Sequence, residues 1–228
     1  MSGKEVSIIL PALNEEETIG RLIDEIPKED MEGKGHRVEI IVVDNSSTDR
    51  TKEVAEEKGA KVIVERMKGK GRAVRAAFES ASGDFIFMLD ADYTYPATYI
   101  PQMLELLEGG YDVVLGSRLK GQREQGAMSR LNLVGNHLLA FLANILYGRR
   151  ISDLCTGYWG FSREAIDGLE LDAIAFELEA NMFVEVAKKG YRIAELPILY
   201  RRRSSPTKLS SLKDGFRIGR TLIRNRFR

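Results

Sequence analysis

The chain has 228 residues, 43% of them hydrophobic and 30% charged, with a formal net charge of zero. That composition supports a buried core in one large domain, and a lone cysteine, Cys155, excludes an internal disulfide framework and fits a reducing compartment. The zero net charge hides an asymmetry: Arg201 to Arg228 carries ten Lys/Arg against one acid, Asp214, so the remainder is net acidic and the tail is suited to an anionic partner.

The N-terminal stretch MSGKEVSIIL turns polar almost at once and shows no secretory signal. Val6–Leu10 is a short apolar run before Pro11 and predicts a buried strand. Glu16–Ile26 places Ile19, Leu22, Ile23 and Ile26 at helical spacing. Val38–Val43 predicts a second buried strand, followed by a polar turn from Asp44 in which Thr48 or Asp49 is the candidate cap for a helix through Lys58. A third strand at Lys61–Val64 precedes a helix over Ala73–Ala81, entered through Gly69-Lys70-Gly71. Phe85–Leu89 predicts the fourth strand, Pro96–Leu107 a helix and Val113–Leu115 a fifth strand.

This alternation predicts an α/β fold, a mostly parallel Rossmann-like sheet with helices on both faces. Ligands bind such sheets at the carboxyl ends of the strands. The polar clusters Asn14-Glu15, Asp44 and Asp90-Asp92 all follow strand ends. Beyond Gly116 the pattern changes. Gly121–Arg130 is loop-like, and Leu131–Tyr147 is strongly apolar yet shorter than the roughly 20 residues of a spanning helix, which leaves core packing and a membrane interface both open. Ala175–Lys188 predicts a helix and Ile193–Leu199 a strand. From about Leu209 the apolar residues lie among Lys and Arg, a basic amphipathic C-terminal helix suited to an anionic membrane surface.

Two carboxylates at alternate positions past a buried strand, Asp90 and Asp92, are costly unless a cation uses them. Mg²⁺ or Mn²⁺ takes such hard oxygens together with substrate phosphates. Lys70, between two glycines, can reach a phosphate, and Asp44 and Glu15 can accept from a base N–H or a ribose hydroxyl. The plainer readings are a solvated turn for Asp90–Asp92, a flexible loop for Gly69-Lys-Gly and an acidic first helical turn for Glu15–Glu17.

In order along the chain, PALNEEETI (Pro11–Ile19), VVDNSSTD (Val42–Asp49), GKGRAVRAAF (Gly69–Phe78), MLDAD (Met88–Asp92), LGSR (Leu115–Arg118) and SDLCTGYWGFSRE (Ser152–Glu164) resemble the inverting family-2 glycosyltransferases of the GT-A fold. Within them the chain is similar to the dolichyl- and polyprenyl-phosphate sugar synthases. The resemblance implies a GT-A domain over 1–200, with a nucleotide-binding part to about 117 and an acceptor part to about 200, and the basic segment 201–228. It implies transfer of a hexose or N-acetylhexosamine from a UDP- or GDP-sugar to a polyprenyl or dolichyl phosphate, with Mg²⁺ or Mn²⁺ and inversion. Pro11, Leu13, Glu15, Asp44, Lys70, Asp90, Ala91 and Asp92 would hold the nucleotide sugar, with Asp90 and Asp92 on the metal. Arg118, Arg130, Arg202, Arg203 and Lys208 would hold the acceptor phosphate, and Asp92, Arg118 and Asp153 would be the catalytic group.

The chain departs from that pattern in three places. Thr94 stands where mannose synthases carry a metal-binding glutamine, which favours UDP over GDP; Asn45 stands at an acidic position; and Ser205-Pro-Thr207 replaces a Gly-x-Ser before Lys208. A saccharide hydroxyl acceptor would instead need a carboxylate base, for which Asp153, Glu177 and Glu179 are candidates, their plainer readings being a cap or loop aspartate and two exposed helix residues. The other readings weighed are a sugar nucleotidyltransferase, disfavoured by the absence of a glycine-rich loop after the first strand, a non-catalytic nucleotide-sugar or lipid-binding scaffold, and nucleic-acid binding, for which the tail lacks interleaved aromatics. Expected placement is cytoplasmic, peripheral at a membrane, with a membrane partner subunit as an alternative anchor.

Overall fold

The structure is a computed structural model that describes residues 3–173, 177–204 and 211–227. A seven-stranded sheet runs in the order β3-β2-β1-β4-β6-β5-β7. Its strands are β1 (Glu5–Ala12), β2 (Arg37–Asp44), β3 (Lys61–Val64), β4 (Phe85–Leu89), β5 (Val113–Ser117), β6 (Tyr158–Ser162) and β7 (Ile193–Pro197). All are parallel except β6, which pairs antiparallel with both β4 and β5.

Consecutive strand residues face opposite sides, and both sides are apolar, so both must be covered. Val6, Ile8, Leu10, Phe87 and Leu89 pack on one face with α1 (Ile19–Glu25), α2 (Lys28–Gly33), α3 (Thr51–Glu57) and α5 (Ile100–Glu108). Ile9, Ile41, Met88, Trp159 and Phe161 pack on the other with α4 (Lys70–Ser80), α6 (Arg130–Tyr147), α7 (Arg163–Gly168), α8 (Leu178–Lys188) and α9 (Ser211–Arg226). Phe161 is fully buried, stacked on Trp159 at 5.6 Å and edge-on to Phe78 at 5.9 Å.

The five strands predicted from the pattern through Leu115 are present, and β7 ends at Pro197, two residues short of its expected limit. β1 runs through Pro11 to Ala12, because Pro11 and Ala12 still register with Val43 and Asp44. The strand β6 and helices α2 and α7 were not predicted. β6 is five residues long and mixes glycine with aromatics, giving neither period clearly. α4 starts at Lys70, so Lys70 and Gly71 lie in its first turn rather than in an entry loop. α1 starts at Ile19, after a turn closed by Thr18 N donating to Glu15 O. Neither Thr48 nor Asp49 is the N-cap of α3, which is Arg50; Thr48 N donates to Asn14 Oδ1, and Asp49 Oδ1 accepts from Thr51 N two residues on.

No helix among the described residues is long and apolar enough to cross a membrane. α6 splits the two readings left open for it. Ala140 and Ala143 are buried against the core, whereas Leu131, Val134, Leu138, Phe141 and Ile145 are each more than half exposed.

Phe161→Ala removes a ring from the stacked core at β6. It is expected to cost about 3–5 kcal/mol of unfolding free energy, measured by urea denaturation.

Candidate active site

Because six strands run one way, their carboxyl ends form one edge, and the reversed strand β6 delivers its preceding loop to that same edge. One cavity of about 950 Å³ opens there, lined by Pro11, Leu13, Glu15, Lys70, Asp90, Ala91, Asp92, Arg118, Arg202 and Arg203 among others. Most residues expected to hold a nucleotide sugar or a phosphate therefore meet in one space.

Asp90 and Asp92 follow β4. The turn between them and Thr94 depends on Tyr93 at φ 63°, a left-handed conformation that is uncommon outside glycine. The Tyr93 ring lies 4.3 Å from the guanidinium carbons of both Arg21 and Arg201, contacts that help hold it there. Thr94 is buried, its hydroxyl donating to Asp92 Oδ1 at 2.6 Å and its N–H to the same oxygen at 3.1 Å. Thr94 thus orients Asp92 instead of facing the cavity as a ligand. Burial pushes the Asp92 carboxyl above the usual range, with the charge of Asp90 adding to it.

The counter-charges come from distant segments. Lys70 Nζ lies 2.6 Å from Asp90 Oδ1 and 2.6 Å from Glu179 Oε1. Burial alone would lower the lysine, but the two carboxylates outweigh that and hold it well above its ordinary value, so it stays charged. Glu179 is buried, which overturns its plain reading as an exposed helix residue. Arg203 Nη1 is 3.0 Å from Asp92 Oδ2 and its Nη2 2.7 Å from Glu15 Oε1, so this arginine, expected to hold the acceptor phosphate, touches acids expected to hold the nucleotide sugar. Gly157 N donates to the Tyr95 hydroxyl, and a Cβ at Gly157 would overlap the Asp90 carboxylate.

At the end of β2, Asp44 is buried; its Oδ2 accepts from Ser47 N, and its Oδ1 has no partner among the described residues. That orphaned acceptor marks a place for an N–H donor, although Asp44 is not among the residues lining the cavity. Asn45 accepts from Gly69 N at 2.7 Å and donates to the Glu65 and Met67 carbonyls. It tethers β2 to the start of α4, a structural use that needs an amide rather than a carboxylate.

Arg118 and Asp153 form a buried fork. Arg118 Nε donates to Asp153 Oδ2 at 2.8 Å, Nη2 to Oδ1 at 2.6 Å and the backbone N–H to Oδ2 at 2.9 Å. Asp153 has no exposed surface, so its carboxylate is engaged with Arg118. Arg130 is exposed on the first turn of α6 and does not line the cavity, Glu177 caps α8, and Lys208 lies outside the described residues.

No group of three or more His, Cys, Asp or Glu side chains able to hold a metal forms among the described residues. Two carboxylates fit a hard divalent cation that completes its shell with water and ligand phosphates. Apolar side chains line the same cavity: Leu131, Leu138 and Leu139 of α6 and Phe216 and Ile218 of α9.

Paired aspartates, a buried lysine and a buried Arg–Asp fork at a parallel sheet edge define a site for a phosphorylated ligand. The chain belongs to glycosyl transferase family 2, whose model matches residues 7–169, and is a glycosyltransferase. It is 37% identical over 220 residues to a dolichyl-phosphate hexose transferase of Haloferax volcanii, covering 96% of this chain and 93% of the relative. It is 39% identical over 224 residues to the low-salt glycan biosynthesis hexosyltransferase Agl6 of the same organism, covering 96% of this chain and 53% of the relative. Among solved structures, glucosyl-3-phosphoglycerate synthase from Mycobacterium tuberculosis, in complex with Mn²⁺, uridine diphosphate and glucosyl-3-phosphoglycerate, superposes with a TM-score of 0.76 at 26% identity, covering 98% of this chain and 80% of that one. The fold is therefore GT-A, as the resemblance implied.

Cys155 also lines the cavity, and burial pushes its thiol up to about 12. At pH 8 it is expected to react with a disulfide reagent roughly fiftyfold more slowly than a free thiol, the loss of thiolate being partly offset by its higher nucleophilicity, and at ordinary speed in denaturant.

Proposed function

We propose that the chain transfers a hexose from a nucleoside-diphosphate sugar to a polyprenyl phosphate at a membrane surface. The observation that carries this reading is a single cavity lined both by the Asp90–Asp92 acids with their cations and by exposed leucines of α6. A charged phosphate and an apolar tail on one acceptor need both kinds of lining. The name of the Haloferax relative that aligns over nearly its whole length supports the same acceptor class.

The roles follow the geometry. Asp44 Oδ1 accepts a base N–H, and Pro11, Leu13, Glu15 and Ala91 form the wall against which the nucleoside lies. Asp90 and Asp92 would hold a divalent cation, Mg²⁺ or Mn²⁺, which would supply charge neutralisation for the departing nucleoside diphosphate. Lys70, kept charged by two carboxylates, adds a second positive charge beside it. Arg118, held in one orientation by Asp153, grips the acceptor phosphate, with Arg202 on the same cavity wall. A phosphate monoester is already an anionic nucleophile at neutral pH, so no side chain need remove a proton. This accords with an Asp153 carboxylate occupied by Arg118. Direct displacement at the anomeric carbon inverts it.

The exposed stripe of α6, with Phe216 and Ile223 of α9 beside Arg217, Arg220 and Arg224, suits the surface of an anionic bilayer. Peripheral attachment there would present the cavity mouth to the lipid tail. A second reading is a small soluble phosphorylated acceptor, which the complex of the mycobacterial neighbour favours. Its acceptor shares the phosphate but leaves the apolar lining of the cavity without a use.

The deciding experiment incubates the protein with Mn²⁺ and UDP-glucose, UDP-N-acetylglucosamine or GDP-mannose, together with either a polyprenyl phosphate in detergent or 3-phosphoglycerate. Metal-dependent lipid-linked sugar is expected; transfer to phosphoglycerate alone would overturn the lipid reading. In the same assay Asp92→Ala is expected to lower turnover by roughly a hundredfold or more. Phe141→Glu with Ile145→Glu is expected to reduce flotation with anionic vesicles while leaving the melting temperature near that of the parent, since both side chains face outward.

A further inference from the structure

One buried carboxylate in the acceptor half has no role in the chemistry above. Glu195 lies on β7, the strand at the edge of the sheet, in register with Leu115 of β5. Its side chain is 4% exposed. Oε1 accepts from Ser152 N at 2.7 Å, Ser152 Oγ at 2.8 Å and Asp153 N at 3.3 Å. Oε2 meets Lys120 Nζ at 2.8 Å, and that lysine is half exposed.

A carboxylate in this position is costly unless its acceptors are filled, and here three donors converge on one oxygen. Attachment of the loop does not require it. Ser152 Oγ already meets Ser117 Oγ at 2.7 Å, and Thr156 Oγ1 donates to Gly116 O at 2.6 Å, so the segment is joined to β5 on both sides of Asp153. What Glu195 adds is a fixed direction for the peptide that enters Asp153. That residue then presents both oxygens to Arg118 in a fork whose alignment depends on where its Cα sits. A chain of contacts therefore runs from β7 through the 152–153 backbone to the guanidinium in the cavity.

The geometry points to Glu195 as a positioning residue that aims Arg118 at the acceptor phosphate by fixing the backbone at Asp153. This rests on the role proposed above for Arg118. A displacement of about 1 Å in a positioning group can cost up to a hundredfold in rate, so an effect of tenfold is within reach of a lost backbone anchor.

The test uses the full-length protein and reads the KM for polyprenyl phosphate, the KM for the nucleotide sugar, and kcat. Glu195→Ala is expected to raise the acceptor KM by about tenfold and leave the donor KM within about twofold. Glu195→Gln keeps an oxygen for Ser152 and Asp153 and is expected to restore the acceptor KM to near the parent value. Glu195→Asp, which retains charge and fold but withdraws the acceptor by one methylene, is expected to fall between them and serves if the alanine variant does not fold. Lys120→Met is expected to leave the acceptor KM unchanged. An unchanged acceptor KM in Glu195→Ala or Glu195→Asp, with only a lower melting temperature or a smaller active fraction, overturns the positioning role. So does a Lys120→Met variant that matches Glu195→Ala, because the effect would then run through the lysine. Arg118→Ala separates the two levels: if it leaves the acceptor KM unchanged, the reading of Arg118 itself fails; if it raises the acceptor KM and Glu195→Ala does not, only the role of Glu195 fails.

Discussion

The site depends on balancing buried negative charge. Glu15, Asp90, Asp92 and Glu179 converge on one cavity from three separate segments, and the first and last of these are buried. Like charges at such distances in a partly dry space repel by several kcal/mol at an effective dielectric near 20. Lys70 answers Asp90 and Glu179, and Arg203 answers Asp92 and Glu15, so each cation spans two acids from different elements. These contacts tie α4 to α8 and the segment after β7 to the ends of β1 and β4. The fold brings the acids together, and the cations make that convergence tolerable. The same arrangement prepares the space for a phosphorylated ligand, because any cation that relaxes its grip on a carboxylate is available to a phosphate.

The reversed strand β6 has an equally specific consequence. In a fully parallel sheet, the loop preceding a strand lies at the end opposite the site. Because β6 runs antiparallel between β4 and β5, residues 152–157 arrive at the carboxyl edge, next to Asp90 and Arg118. Gly157 then lies so close to Asp90 that no side chain fits, and Asp153 meets Arg118. One direction change in the sheet therefore brings Asp90, Asp92 and the Arg118 held by Asp153 to a single cavity. The backbone anchor from Glu195 acts on this same loop, on its side toward β7.

Much of this was legible in the residues. Apolar runs ended by acids mark parallel strands with a polar carboxyl edge, so the meeting of Glu15, Asp90 and Asp92 could be read before any coordinates, whereas Asp44, grouped with them, does not line the shared cavity. The partners were not legible. Nothing in local spacing pairs Lys70 with Glu179, 109 positions away, or Arg203 with Glu15, 188 positions away. Glu179 stayed open between a carboxylate base and an exposed helix acid, because helical periodicity reports which face is apolar, not which polar residue meets a buried lysine. Thr94 looked like a weakened metal ligand, whereas its hydroxyl holds Asp92 through a turn set by Tyr93 at positive φ. β6 was missed for a related reason: its direction follows from tertiary pairing, and a five-residue stretch with a central glycine carries little period of its own.

The apolar surface of α6 requires a physical account. Leu131, Val134, Leu138, Phe141 and Ile145 recur at three- and four-residue intervals and stand exposed, while the opposite face of the helix packs on the core. Isolated exposed leucines are ordinary, but a continuous stripe along a whole helix is disfavoured in water and marks a surface that something apolar covers. α9 packs against α6, with the Tyr147 hydroxyl donating to Leu222 O at 2.8 Å, and it adds exposed Phe216 and Ile223 alongside arginines. Leu131, Leu138 and Phe216 of these faces also line the cavity. The exposed stripe and the cavity are therefore parts of one apolar path, and a bilayer that covers the first would place its own long-chain phosphates at the mouth of the second.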